Sequence, residues 1–215
     1  MAPSDPSAPS EPTLEWVSPV TPELDRRMAE GGRHLVRILH QLRRPLPLDD
    51  RGRGGTDRLA VRPFDPGRDV EDWLGVNNRA FAWHPDQGGW DRARLEARLA
   101  EPWVDLDGFL VRDDAPGPGG RGGMAGFCWT RVHPATAVDP ALGEIFVIAA
   151  DPAHHHAGLG RALTAAGLDH LADAGLEVGM LYVEATNTPA IRLYERMGFV
   201  LHHSDAAYAA GPTGP

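Results

Sequence analysis

Two stretches of this chain carry residue types that can do chemistry together. In GEIFVIAADPAHHHAGLGRAL, Glu144 opens an apolar run ending at Asp151-Pro152, and Gly158 and Gly160 follow where a helical pattern begins. A carboxylate among apolar neighbours is a candidate proton acceptor, because burial raises its pKa toward the working pH. Glycines at a helix opening let a phosphate approach backbone N–H groups that the helix leaves unpaired, and the positive end of the helix favours an anion. His155, His156, Ala157, Gly158, Leu159 and Gly160 form that candidate anion loop, and Arg161 adds charge at its lip. The second stretch, LYVEATNTPAIRLYERMGF, holds Glu184 as a second candidate base, Asn187 as a helix N-cap and Tyr194 on the helix that follows. Three adjacent histidines with no carboxylate beside them do not converge on one ion, so no metal site is expected at His154 to His156.

These groups need a frame. Alternation in GEIFVIAA predicts a strand with Glu144, Phe146 and Ile148 on one face. Leu159, Leu163, Ala166 and Leu171 line a helix that Gly175 stops in a left-handed conformation. MLYVEA is the next strand, and Pro189 fits the first turn of the next helix. Upstream, LAVRPF reads as a strand, Val70, Trp73, Leu74, Asn77 and Phe81 share a helical face, and Leu95 and Leu99 mark another helix. GFLVRD and MAGFCWTRVH are strands joined by a Gly-rich turn, and the strand places Cys128 as a small buried residue rather than a nucleophile. Further short strands lie near Phe199 and Tyr208.

The 215 residues suffice for one α/β domain and an appendage. Residues 1–13 are too rich in Pro, Ser and Glu to build a core and are expected to be disordered. Residues 14–48 contain a helical pattern and the strand-like HLVRILHQLRR, and the polar, Gly-rich 49–57 reads as a linker to a domain over 58–210. Asp and Glu total 30 against 21 Lys and Arg, a formal charge of −9, which argues against a nucleic-acid partner. A single cysteine excludes an intramolecular disulfide. No signal peptide and no bilayer-length apolar run is evident, so a cytoplasmic setting without membrane contact is expected. The residues do not indicate an oligomeric state.

A glycine loop followed at this distance by a tyrosine helix resembles the GNAT superfamily of acyl-CoA-dependent N-acetyltransferases. The resemblance implies a mixed α/β sheet flanked by helices, with acetyl-CoA as acyl donor. It implies that the backbone of Val147 to Ala150, hence Ile148, Ala149 and Ala150, pairs with the pantetheine arm. It further implies that Asn187, Thr188, Pro189, Ala190, Ile191 and Arg192 flank the cofactor, and that Tyr194 is the general acid beside the base Glu144. The thioester is then expected between Glu144 and Tyr194, on one side of the sheet. NNRAFAWHPDQGGW, LAEPWVDLDGFLV, CWTRVHP, GEIFVIAADP, LYVEATN and SDAAYA more closely resemble the mycothiol synthases, two-domain enzymes that acetylate the cysteinyl amine of a glucosaminyl-inositol conjugate. That resemblance implies that Asp86, Arg131, Glu144 and Tyr182 contact a small-molecule amine acceptor, with Asp86 and Arg131 standing where the family tends to carry Glu and Lys. It makes residues 14–48 the last helix and strand of a first domain, and an exposed Val36 to Leu42 edge an association hazard. Two other functions remain open: acetylation of another small-molecule or peptide amine, and acyl-CoA binding without turnover.

Overall fold

Runs that alternate or are apolar throughout become strands, and runs with a three-to-four-residue apolar period become helices. The computed structural model describes residues 14–55, 58–84, 87–115, 122–154 and 158–210. The elements are β1 (Glu15–Val17), α1 (Pro22–Glu30), β2 (Arg33–Pro45), α2 (Asp50–Arg53), β3 (Arg62–Pro63), α3 (Val70–Ala80), α4 (Arg92–Leu99), β4 (Phe109–Asp113), β5 (Met124–His133), β6 (Leu142–Ala150), α5 (Leu159–Asp173), β7 (Val178–Glu184), α6 (Thr188–Arg196) and β8 (Val200–Ala210). A short 3-10 turn spans Pro152–His154. The strands form one sheet in the order β1-β8-β2-β7-β6-β5-β4-β3. Only β6 and β7 run parallel; the other neighbours are antiparallel. This is the mixed α/β sheet expected, although LAVRPF yields only the two-residue β3.

Each face has its own core. Trp73 of α3 and Leu95 of α4 pack on Phe109, Phe127, Trp129, Val147 and Ala149. Leu163, Leu168 and Leu171 of α5, with Tyr194 of α6, pack on Cys128, Ile145, Leu181 and Val183 of the other face. Cys128 is fully buried, and burial pushes its thiol up to about 12, which fits the packing role expected of it. It lies under Gly167, where a Cβ would sit 2.5 Å from Cys128 Sγ and 2.6 Å from Ile145 Cδ1. Replacing a helical glycine by alanine gains up to about 1 kcal/mol of helix propensity. Overpacking a filled core costs about 1–3 kcal/mol. Gly167→Ala is therefore expected to lower the melting temperature by several degrees in a thermal scan; an unchanged or higher value would show that α5 can lift off the sheet at no cost.

The N-terminal segment is not a separate body. β2 lies between β7 and β8 and pairs with both. Leu39 to Leu42 are paired on both sides and are no sheet edge, and Leu42 is buried in the core against α5 and α6, whereas Val36 to Ile38 run past the β7 pairing and Val36 is 50% exposed. Residues 49–53 are not a free linker either. Asp49 caps α2, Arg53 makes a bidentate ion pair with Asp169 of α5 at 2.6 and 3.0 Å, and Gly52 is buried. A strand pattern says nothing about which strands flank it, so both features escaped a reading of local composition.

Candidate active site

The site begins where two parallel strands part. β6 and β7 pair only over Gly143–Ile145 and Gly179–Leu181. Beyond Ile145, β6 keeps β5 as its strand partner through Ala150, while β7 continues along β2 to Glu184. The β7-facing backbone of Val147 to Ala150 has no strand partner among the described residues, so a polar chain with an extended backbone can add there. α5 starts beyond the same end of β6. Gly158 precedes it at φ 70° with no side-chain cap, which leaves the first-turn N–H groups available to an anion. His155, His156 and Ala157, the other half of the expected anion loop, lie outside the described residues.

A bulge sets which side chains face the gap. Trp129 opposes Val147 and Thr130 opposes Ile145, so Phe146 has no partner in the register. Glu144, Phe146, Val147 and Ala149 therefore face α3 and α4, whereas Ile145 and Ile148 face α5. The expected sharing of one face by Glu144 and Ile148 is thus corrected: the extra residue reverses the alternation.

Glu144 stands on a polar floor built from four strands, β5, β6, β7 and β2. It is 6% exposed, and its Oε2 lies 2.7 Å from Nε2 of the half-buried His133. Arg131 is directly opposite Glu144 across the β5–β6 pair. Its guanidinium covers the Trp103 ring at 4.6 Å, and its Nε is buried without a hydrogen-bond partner among the described residues. Met180 and Tyr182 of β7 come next, and the Tyr182 hydroxyl accepts from Gln41 Nε2 at 2.7 Å. Glu184 is held in a close ion pair by Arg37 of β2 and lies 3.6 Å from His84 Nε2. That pairing occupies the second candidate base, leaving Glu144 as the carboxylate beside the gap. His84 belongs to the loop after α3, which Asn77 and Asn78 tie down through the carbonyls of Gln87 and Trp90. Asp86 in this loop lies outside the described residues.

Tyr194 is not on this floor. It packs in the cluster with Cys128, Ile145 and Leu163, on the α5 face. The expectation of Glu144 and Tyr194 on one side of the sheet is therefore corrected. Tyr194 lies in the core on the α5 face, and Glu144 is on the opposite face of the sheet. Burial raises the Tyr194 phenol well above its ordinary pKa, so it stays protonated and can donate but not serve as a base near neutrality.

Arg161 donates through Nη1 to the Gly52 carbonyl at 3.0 Å, so its guanidinium is turned to α2 rather than held at the lip of the loop. Asn187 caps α6 through Ala190 N at 3.3 Å, with Thr188, Pro189, Ala190, Ile191 and Arg192 in the first turns beside the end of β7. His133 and Gln41 belong to the site and were missed from sequence. His133 could have been found: it lies two residues from Arg131 on one strand and so shares its face. Gln41 carried no such signal.

The acetyltransferase (GNAT) family model matches residues 76–199, more than half of the chain. A mycothiol acetyltransferase of Acidimicrobium ferrooxidans is 51% identical over 170 residues, which cover 79% of this chain and 53% of that protein. One of Segniliparus rotundus is 46% identical over 200 residues, covering 90% of this chain and 71% of that protein. This chain thus spans between half and three quarters of the length of these curated relatives. Among solved structures, a GCN5-related N-acetyltransferase from Sphaerobacter thermophilus superposes with a TM-score of 0.66 at 20% identity, covering 91% of this chain and 58% of that one. The split β6–β7 sheet, the glycine-opened α5 and these matches agree: the chain belongs to the GNAT acetyltransferase family.

Proposed function

We propose that this protein transfers the acetyl group of acetyl-CoA to the cysteinyl amine of desacetylmycothiol, in the cytoplasm. The observation that carries the reading is the buried carboxylate of Glu144 on a polar floor, at the point where β6 loses its β7 partner. The shared name of the longer relatives supports the acceptor. The free edge of Val147 to Ala150 suits the amides of a pantetheine arm, and the first turn of α5 suits the diphosphate. Glu144 takes a proton from the acceptor's ammonium, directly or through water. His133, hydrogen-bonded to it and half-exposed, gives that proton a way to solvent. The amine nitrogen then bonds to the acetyl carbon and gives its second proton to Glu144, which has passed the first to solvent; β6 amides near Ile148 steady the oxyanion, and the C–S bond breaks as Tyr194 donates a proton to sulfur that solvent restores once CoA leaves. Arg131 and Tyr182 face the acceptor. Residues 14–48 correspond, on this reading, to the end of a preceding domain in the longer relatives.

The test is CoA release with the cysteinyl glucosaminyl-inositol beside a panel of other amines. Turnover at least about tenfold higher in kcat/KM for the thiol sugar is expected. Equal turnover of simple amines would replace the acceptor, and acetyl-CoA binding with no turnover of any amine would remove the enzymatic reading.

A further inference from the structure

A partly buried chain of hydrogen bonds runs from the β5–β6 loop through β2 to the acceptor floor. Arg43 grips Asp139 with both terminal guanidinium nitrogens, Nη1 and Nη2, at 2.6 and 3.0 Å. Its Nε donates to Gln41 Oε1 at 2.6 Å, and Gln41 Nε2 donates to the Tyr182 hydroxyl at 2.7 Å. The polarity of this chain is fixed by chemistry. Arginine has no acceptor, so the amide oxygen of Gln41 must face Arg43 and the amide nitrogen must face Tyr182. The nitrogen can only donate, so the tyrosine oxygen accepts, and the phenolic proton must point elsewhere.

Gln41 is 4% exposed and locked at both ends, whereas Tyr182 is 40% exposed. Gln41 is the only hydrogen-bond partner of that hydroxyl among the described residues. Burial, with the nearby charges of Asp205 and Glu144, raises the Tyr182 phenol above its ordinary pKa, so the proton is retained. Met180 on the same strand is opposite Glu144, which puts Tyr182 one same-face step along β7 from the base.

We propose that Asp139, Arg43 and Gln41 are positioning residues that make Tyr182 an obligate hydrogen-bond donor to an oxygen of the acceptor. The inference rests on the acetyl-transfer reading for the identity of the acceptor. It gives β2 a role in recognition as well as in the sheet. A hydroxyl, ether or carbonyl oxygen satisfies this donor, whereas an ammonium has no lone pair to receive it.

The test is a reversal of polarity in the full chain. In Gln41→Glu, one carboxylate oxygen still receives Arg43 and the other accepts from Tyr182, which turns the phenolic proton inward. Binding of the cysteinyl glucosaminyl-inositol in the presence of CoA is measured by calorimetry, beside steady-state kinetics. The expected result is a rise of about five- to tenfold in acceptor Kd and KM, with the KM for acetyl-CoA within about twofold of the unsubstituted protein. In a Tyr182→Phe background the same Gln41→Glu change is expected to add nothing, because there is no proton to misdirect. A merely structural Gln41 would instead weaken binding by the same factor in both backgrounds, and that result overturns the proposal. So does unchanged acceptor binding in Gln41→Glu. If the unsubstituted protein binds the thiol sugar but never acetylates it, and Gln41→Glu still weakens binding, the donor assignment stands and the acetyl-transfer reading falls.

Discussion

Glu144→Gln is expected to lower kcat with the thiol-sugar acceptor by about 100-fold or more, with little change in the KM for acetyl-CoA. A positioned general base contributes about 10²–10⁴ in rate, and the amide cannot take up the ammonium proton. The substitution is close to isosteric. It keeps a hydrogen-bonding group 2.7 Å from His133 Nε2, so the floor around Arg131 and Tyr182 has no reason to move. On the proposed reading the donor's contacts lie along the β6 backbone and at the start of α5, which the change leaves intact. Single-turnover kinetics at saturating acetyl-CoA read the chemical step directly. A loss smaller than about threefold would clear Glu144 of the base role. Glu184, the other carboxylate weighed for it, is already spoken for by Arg37.

A chain reduced to residues 58–210, the segment that composition marks out as a domain, is expected not to fold. β2 is hydrogen-bonded on both sides: Leu39 to Pro45 pair with β7, and Arg33 to Arg43 pair with β8. Its removal leaves two unsatisfied strand edges facing each other and takes Leu42 and Leu48 out of the core. Loss of a buried leucine side chain costs about 2–5 kcal/mol, and a whole domain is stable by about 5–15 kcal/mol. Two leucines and the sheet pairing together exceed that margin. The shortened chain is expected in the insoluble fraction, or in solution without a cooperative melt and with slow-exchange amides absent. A soluble product with a sharp thermal transition would mean that β7 and β8 can close on each other, and that β2 is an accessory.

Much of the machinery was legible in the chain because its signals are local. The order strand, glycine loop, helix, strand, N-capped helix follows from alternation, helical period and the placement of Gly158, Gly175, Asn187 and Pro189, all within a few residues of one another. The apolar surroundings of Glu144 and the packing role of Cys128 were marked by their immediate neighbours. Other features depend on partners distant in sequence. Arg37 meets Glu184 across 147 positions, and Gln41 meets Tyr182 across 141. Neither pairing leaves a trace in a hydrophobic period, because a strand reads the same at the edge or the centre of a sheet. The bulge at Phe146 is a second case. One unpaired residue moved Ile148 to the face opposite Glu144, since side chains alternate with a period of two and any insertion inverts every position after it. The third is the separation of β6 from β7. The residue pattern named an acid and a base. Only the fold parts those strands beyond Ile145 and puts Tyr194 in the core on the α5 face, opposite to Glu144, because which element covers each face is set by packing between residues distant in sequence, not by the strands' own pattern.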